Sequence, residues 1–204
     1  MGTVNILGAA VTVSFADGQD ISDEMKATLR YGIDQMADLI NSRVWTTAYA
    51  DAFRIMRKII FFDQPVIVNT WLLDRPGCDE DDAHFYWEIE EFLRNTDADV
   101  RANTYFHDCW HVVQYRRAGN RFARDEQERV DREVDAIDQQ IAVASLIGCS
   151  QPEIEFLRDF RDDQGVIIAR LKEGIEPGGR MRHEGNASLL AQARTAPGPV
   201  VGSG

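Results

Sequence analysis

The chain has 204 residues, enough for one domain with a substantial hydrophobic core. Hydrophobic residues make up 44% of the sequence and charged residues 27%, a globular balance that argues against extensive disorder. A net charge of -12 argues against nucleic acid as the main partner, because binding to phosphates requires a cationic surface.

The N-terminal pattern predicts a strand followed by a helix. Val4–Phe15 is rich in valine and partly alternating, which is typical of a strand. Ser22 is a typical N-cap for the helix that follows. Five apolar residues recur at helical spacing along this helix: Met25, Leu29, Ile33, Met36 and Ile40.

The next segment predicts a second helix over Trp45–Ile60 and a second strand over the β-branched run Pro65–Leu73. The acidic cluster Asp79–Asp82 then predicts the start of a helix that carries Phe85 and Phe92. Acidic side chains near a helix N-terminus interact favourably with the helix dipole.

Longer helices are predicted in the C-terminal half, over about Thr104–Arg117, Glu126–Ile147 and Pro152–Gly174. Gly119 and Gly148 stand where helices commonly end. From Pro177 onward, glycine, proline and small residues predict a flexible tail that contributes nothing to the fold. The sequence therefore predicts a mainly α (α+β) single domain over residues 1–176, with a small N-terminal sheet, and a tail over residues 177–204.

The cysteines Cys78, Cys109 and Cys149 are an odd number without close pairing, so a disulfide framework is not expected. Reduced thiols in a cytoplasmic protein are the simplest interpretation. No stretch approaches the ~20 apolar residues of a membrane helix, so no membrane association is predicted. The sequence leaves the oligomeric state open.

The segment Phe106–Tyr115 reads FHDCWHVVQY and is the most informative part of the chain. In a helix, His107 and His111 lie one turn apart on one face, so both imidazoles can bind one metal ion. With Asp108 between them the motif is HDxxH, one methylene shorter than the HExxH of zinc peptidases. Two histidines at this spacing also occur in helices that bind no metal, and that alternative stays open.

The predicted helix Glu126–Ile147 supplies a third candidate ligand, Glu133, at the edge of its apolar stripe. A carboxylate at the edge of a buried face usually has a partner, because burying an unpaired charge is costly. The two histidines, through a metal ion, are one such partner. The alternative is a salt bridge to an arginine such as Arg129 or Arg132.

These residues resemble the small gluzincin-type zinc metallopeptidase domains called minigluzincins. HDCWHVVQ is similar to the family's HExxHVxQ helix, and the run EVDA at Glu133–Ala136 is similar to its ExxAD run. The resemblance covers about Phe106–Gln140 and implies a zincin-like two-helix metal site. It implies that the zinc ligands are His107, His111 and Glu133.

The chain departs from the family at two positions. Asp108 stands where the family has its catalytic glutamate, and Ile137 stands where the ExxAD run ends in an acid. In such peptidases the glutamate takes a proton from a water that the zinc acidifies. Aspartate is shorter by one C–C bond, ~1.5 Å, so Asp108 would reach that water poorly.

The resemblance implies a zinc-dependent hydrolase of a peptide or small amide, with Asp108 as the catalytic acid–base residue. Tyr105 and Tyr115 are candidates for stabilising the oxyanion. Two histidines and one carboxylate are also the ligands of non-haem iron enzymes, which makes iron the alternative metal. A catalytically inactive, metallopeptidase-like interaction module is the third possibility, and the aspartate at position 108 favours it.

Overall fold

A computed structural model describes residues 1–64, 66–68, 71–73, 77–163, 167, 175–176 and 180–181. Within these residues the protein is a mainly helical α+β domain that contains a five-stranded sheet, which confirms the predicted fold class. Apart from residues 180–181, the predicted tail lies outside the described residues.

The elements are numbered in chain order over the described residues. The strands are β1 Gly2–Ile6, β2 Ala9–Phe15, β3 Lys58–Phe62, β4 Val66–Val68, β5 Trp71–Leu73, β6 Gly77–Asp79, β7 His84–Glu88, β8 Ile175–Glu176 and β9 Arg180–Met181. The helices are α1 Asp23–Asn41, α2 Thr47–Phe53, α3 Ile89–Arg94, α4 Ala98–Arg117, α5 Glu126–Ile147 and α6 Gln151–Asp162.

The main sheet has the strand order β1-β2-β3-β7-β6 among the described residues. The three inner strands β2, β3 and β7 run parallel, and the outer strands β1 and β6 pair antiparallel to their neighbours. Helix α1 packs on β1, and helix α4 packs on β6 and β7. Helix α4 also contacts α1, α2 and α5, so it lies at the centre of the domain.

The first predicted strand is in fact a hairpin. The chain reverses at Leu7 and Gly8, which both have positive φ, 51° and 89°. A two-residue turn with both central residues at positive φ matches the right-handed twist of the flanking strands. Strands β1 and β2 therefore pair from Ile6 and Ala9 outward, and the prediction of one strand over Val4–Phe15 was wrong.

The second predicted helix also ends early. Helix α2 stops at Phe53, and β3 begins at Lys58. From Ile59 onward β3 is buried without alternation, as expected for an inner strand with parallel neighbours. A short continuous apolar run does not distinguish a buried strand from a buried helix, which is why the prediction over Trp45–Ile60 was wrong.

The acidic cluster forms a turn between two strands rather than the start of a helix. Asp79 Oδ1 accepts hydrogen bonds from the backbone N–H groups of Asp81 and Asp82, at 3.1 and 3.2 Å. These bonds stabilise the turn between β6 and β7. Phe85 is a buried residue of β7, and the short helix α3 follows this strand directly. The predicted strand Pro65–Leu73 consists of β4 and β5, which pair antiparallel, and residues 65, 69 and 70 lie outside the described part.

Helices α1 and α5 have the predicted bounds to within one residue. The Ser22 hydroxyl caps α1 by accepting from the Met25 N–H, and Gly148 ends α5 in a left-handed conformation. Helix α4 begins at Ala98, six residues before the predicted start. Helix α6 is described to Asp162, and of the remaining predicted segment to Gly174 only residue 167 is described.

Candidate metal centre

Three side chains on α4 and α5 converge on one point. The Nε2 atoms of His107 and His111 are 3.0 Å apart. Glu133 Oε1 lies 3.4 Å from the first of these atoms, and Glu133 Oε2 lies 3.1 Å from the second. Ligand atoms about 2.0–2.1 Å from a tetrahedral zinc ion are roughly 3.3 Å from one another. The spacing of the three groups therefore fits one small metal ion.

The packing of α4 holds the two histidines in place. Phe106 and Trp110, on the adjacent face of the helix, are buried, and their rings stack with centroids 5.8 Å apart. The Trp110 indole also donates a 2.8 Å hydrogen bond to Asp135 Oδ2 on α5. The imidazoles themselves are 18% exposed, so both rings are partly accessible to solvent.

Gln114 determines which nitrogen of His111 carries the proton. Its amide nitrogen donates 2.7 Å hydrogen bonds to two acceptors, the Arg132 carbonyl and Asp135 Oδ2. The amide oxygen must then face His111, and it lies 3.0 Å from Nδ1. Because this oxygen can only accept, Nδ1 carries a proton and Nε2 is directed at the candidate metal position.

His107 has a similar partner on α5. Its Nδ1 atom lies 3.0 Å from Gln140 Oε1, while its Nε2 atom faces His111 and Glu133. Metal-binding histidines commonly donate from the second ring nitrogen to an oxygen, which fixes the tautomer and the ring orientation. Both imidazoles thus have the arrangement that a metal site requires.

The charges of the three groups are strongly coupled. Burial alone would raise the pKa of Glu133, but the two imidazoles hold it well below its usual range. Burial alone would lower the pKa of His111, but its hydrogen bond to Glu133 and the charges of Glu133, Asp108 and Glu80 together raise it to about 9. Glu133 is therefore ionised, and its negative charge stabilises either a protonated imidazole or a bound metal ion.

Asp108 interacts electrostatically with both histidines and with Glu133. Its side chain is buried, with 8% exposure, and it accepts a hydrogen bond from the thiol of Cys78 on β6. Burial raises its pKa, although the charges of His107 and His111 oppose that shift. The Cys78 contact connects this carboxylate to β6, the strand against which α4 packs.

The two tyrosines named from the sequence lie in different places. Tyr105 is fully buried in the core, and its hydroxyl lies 3.4 Å from the Phe53 carbonyl, so it does not contact the metal centre. This placement gives no support to an oxyanion-stabilising role for Tyr105. Tyr115 lies one turn beyond His111, and its hydroxyl donates a 3.0 Å hydrogen bond to Asp81 Oδ1.

One charged residue near the centre, Glu80, was missed from the sequence, whereas Arg129 was named there as an alternative partner of Glu133. Glu80, in the turn after β6, is partly buried and interacts electrostatically with His111. Arg129, one turn before Glu133 on α5, interacts electrostatically with both Glu133 and Glu80. Glu80 stands in an acidic run just before His84–Glu88, a segment that alternates like a strand. This pattern predicts a hairpin better than a helix, and it is the sequence signal that could have indicated the position of Glu80.

A second group of potential ligands is formed by Asp99, Cys149 and Glu153, and both carboxylates accept hydrogen bonds from nearby groups on their own helix or its cap. Asp99 Oδ1 accepts from the Val100 N–H, and Glu153 accepts from both the backbone N–H and the hydroxyl of Ser150. Burial raises the pKa of Cys149 to about 12, so its thiol stays protonated. Glu153 thus completes a capping box with Ser150 at the start of α6.

Comparisons with known proteins yielded no relative: no family model, no curated protein and no solved structure matches the chain. Among the helices whose residues are described, none has the length and apolar character required to cross a membrane. The chemistry of the site therefore has to be inferred from its geometry.

Proposed function

We propose that this protein is a zinc-dependent hydrolase of a peptide or small amide bond. The observation that carries the proposal is the convergence of His107, His111 and Glu133, whose ligand atoms lie within 4.8 Å of one another. Two imidazoles and one carboxylate are the protein ligands of several zinc peptidases, in which the bound ion acidifies a water molecule and polarises the substrate carbonyl.

The surroundings of the three groups support a catalytic rather than a purely structural ion. Structural zinc sites use four protein ligands, whereas catalytic sites use three and leave one position for water or substrate. Among the described residues, three form the group here, and each is only partly buried. Their partial exposure supports the approach of a substrate, while Gln114 and Gln140 hold the imidazoles in place.

The resemblance to minigluzincins agrees with this proposal in the order and spacing of His107, His111 and Glu133. We propose a peptide or small amide as substrate and no nucleic acid partner, because the chain carries a net charge of -12. A reducing compartment such as the cytoplasm suits the chain, since Cys78, Cys109 and Cys149 are free thiols.

The proposal is tested by metal reconstitution and a peptide cleavage assay on the full chain. Metal-free protein should cleave nothing in a mixed peptide library, and one equivalent of zinc should restore cleavage. His111→Ala should abolish both zinc binding and cleavage, whereas the control His84→Ala, on β7, should leave both unchanged. Zinc binding without cleavage of peptides or small amides would contradict the hydrolase assignment.

A non-haem iron enzyme is a second candidate, favoured by the contact between Asp108 and Cys78. That contact engages the residue at the usual peptidase base position in a hydrogen bond to β6. An iron site with two histidines and one carboxylate requires no base at that position. Elemental analysis of the purified protein distinguishes the candidates, because iron at one equivalent per chain would favour this one over zinc.

A further inference from the structure

Two side chains of α4 share one acceptor on α5. The Trp110 indole donates a 2.8 Å hydrogen bond to Asp135 Oδ2, and the Gln114 amide nitrogen donates a 2.7 Å hydrogen bond to the same oxygen. Trp110 and Gln114 are four residues apart, so they are neighbours on one side of the helix. One carboxylate of α5 thus connects to both of them.

Both donors are buried, although Asp135 itself is exposed. Trp110 is 4% exposed and Gln114 is 9% exposed. A buried N–H group that loses its acceptor is costly, because water does not replace the lost hydrogen bond. The two side chains are therefore held in the conformations that reach Asp135.

The Gln114 amide has a second, weaker acceptor. Its nitrogen also donates to the Arg132 carbonyl at 2.7 Å, so the two bonds use both hydrogens of the amide. A hydrogen bond to an ionised group is roughly twice as strong as a hydrogen bond between neutral groups. Asp135 therefore contributes more than the Arg132 carbonyl to the orientation of this amide.

The orientation of this amide decides which nitrogen of His111 faces the metal position. The Gln114 oxygen lies 3.0 Å from Nδ1 and can only accept, so Nδ1 carries a proton. If the amide were turned over, its nitrogen would donate to Nδ1, and the proton of the neutral imidazole would sit on Nε2. A protonated Nε2 cannot bind a metal ion. The orientation that Asp135 favours is thus the one that the metal centre requires.

Other side chains of α5 supply matched references. Asp131 accepts a 2.8 Å hydrogen bond from Gln127 on the same helix, so this bond does not reach α4. Gln140 Oε1 lies 3.0 Å from Nδ1 of His107. The two imidazoles therefore face different glutamines, and Asp135 hydrogen-bonds to the one that faces His111.

We propose that Asp135 is a positioning residue of the metal centre, which acts through Gln114 to hold His111 in the tautomer that binds the ion. This inference rests on the metal centre of the proposed function, but it requires no particular reaction there. Loss of Asp135 is expected to affect His111 and to leave His107 unchanged.

The first test measures the zinc affinity of the full chain by competition with a fluorescent chelator. Asp135→Ala should weaken binding by about tenfold, the lower end of the 10–100-fold loss typical of residues that orient a metal ligand, because it acts through a second residue. Asp135→Asn keeps an acceptor oxygen without the charge, so its loss should be about threefold. The control Asp131→Ala should bind zinc with the parental affinity.

The imidazole N–H protons of the zinc-loaded protein supply a readout that a general loss of packing would not reproduce. In the parent, the Nδ1 protons of His107 and His111 should give NMR signals that their glutamine partners protect from exchange with water. In Asp135→Ala the His111 proton should exchange faster, whereas the His107 proton should be unaffected. Equal changes in both signals would indicate a disturbed α4–α5 interface and overturn the specific role.

A double-mutant cycle tests whether Asp135 acts through Gln114 or through Trp110. In the Gln114→Ala background, Asp135→Ala should weaken zinc binding little further, because the amide that Asp135 orients is already absent. A further tenfold loss in that background would show that the effect does not pass through Gln114 and would overturn the inference.

The remaining outcomes separate this inference from the proposed function. Parental zinc affinity in Asp135→Ala would overturn the role of Asp135 and leave the metal centre in place. Should Asp135→Ala fail to fold, parental affinity and an unchanged His111 signal in Asp135→Asn would have the same meaning. A parent that binds no zinc would overturn the metal centre and this inference together.

Discussion

The side chain of Gln114 fixes the tautomer of His111. Its amide nitrogen is committed to two acceptors on α5, so its oxygen faces the imidazole Nδ1 at 3.0 Å. One glutamine thus joins the two helices and presents the His111 Nε2 atom to the metal centre.

Gln114→Ala should weaken zinc binding by about 10–100-fold, the usual effect of removing a residue that orients a metal ligand. Without the amide, His111 can protonate either nitrogen and its ring can rotate. Zinc affinity measured against a fluorescent chelator checks this expectation. The control Gln127→Ala, on the exposed face of α5, should bind zinc with the parental affinity, and equal affinities in both variants would refute the role of Gln114.

Zinc affinity should fall as the pH is lowered. In the metal-free protein His111 has a pKa raised to about 9, so at neutral pH it must release a proton before its Nε2 atom can bind zinc. Glu133 stays ionised over this range because its pKa lies well below the usual value. The apparent affinity should drop by roughly tenfold per pH unit below pH 9. An affinity that does not change with pH would contradict the coupling between these two residues.

The same coupling predicts that the metal-free protein becomes less stable at alkaline pH. Because the pKa of His111 is higher in the folded state, the His111–Glu133 interaction stabilises the protein fully at any pH below 6.5, the pKa of His111 in the unfolded chain. That contribution is lost as the pH rises through about 9. Thermal unfolding of metal-free protein should show Tm falling across this range, and Glu133→Gln should reduce the fall. A parental Tm that stays constant would argue against the interaction.

Glu128 should make the start of α5 sensitive to acid. Hydrogen bonds from the side chain of Arg121, the backbone and side chain of Arg124 and the side chain of Arg132 hold the pKa of Glu128 far below its usual value of 4.5. Its stabilising contribution is therefore present above pH 4.5 and lost as the pH falls below it. Glu128→Gln should lower Tm at neutral pH and reduce the loss of stability in acid. The control Glu24→Gln, exposed on α1, should leave Tm nearly unchanged.

The sequence predicted those parts of the site that depend on one helix. The spacing of His107 and His111 predicted that they share one face of α4, and the 3.0 Å distance between their Nε2 atoms confirms that face. The apolar stripe of α5 placed Glu133 at its edge, where the structure has it next to both histidines. Helical periodicity is a local property, so a short segment is sufficient to reveal it.

The parts that were missed depend on contacts between distant segments. Glu80 is 31 positions before His111, and it approaches the site only because β6 and β7 form a hairpin at the edge of the sheet. The contact between Asp108 and Cys78 likewise requires that α4 pack against β6. The prediction of a helix N-terminus at Asp79–Asp82 gave no indication of the β6–β7 hairpin, so neither the position of Glu80 nor the contact between Asp108 and Cys78 could be predicted.

The most direct test of the metal centre is calorimetric titration of zinc into metal-free full-length protein, in parallel with Glu133→Gln. The matched control is Asp131→Asn, which changes an exposed acid two positions away on the same helix. We predict one zinc ion per chain for the parent and for Asp131→Asn, and strongly weakened binding for Glu133→Gln. Binding of zinc by Glu133→Gln with the parental stoichiometry and affinity, or no binding by the parent, would contradict the assignment of His107, His111 and Glu133 as ligands.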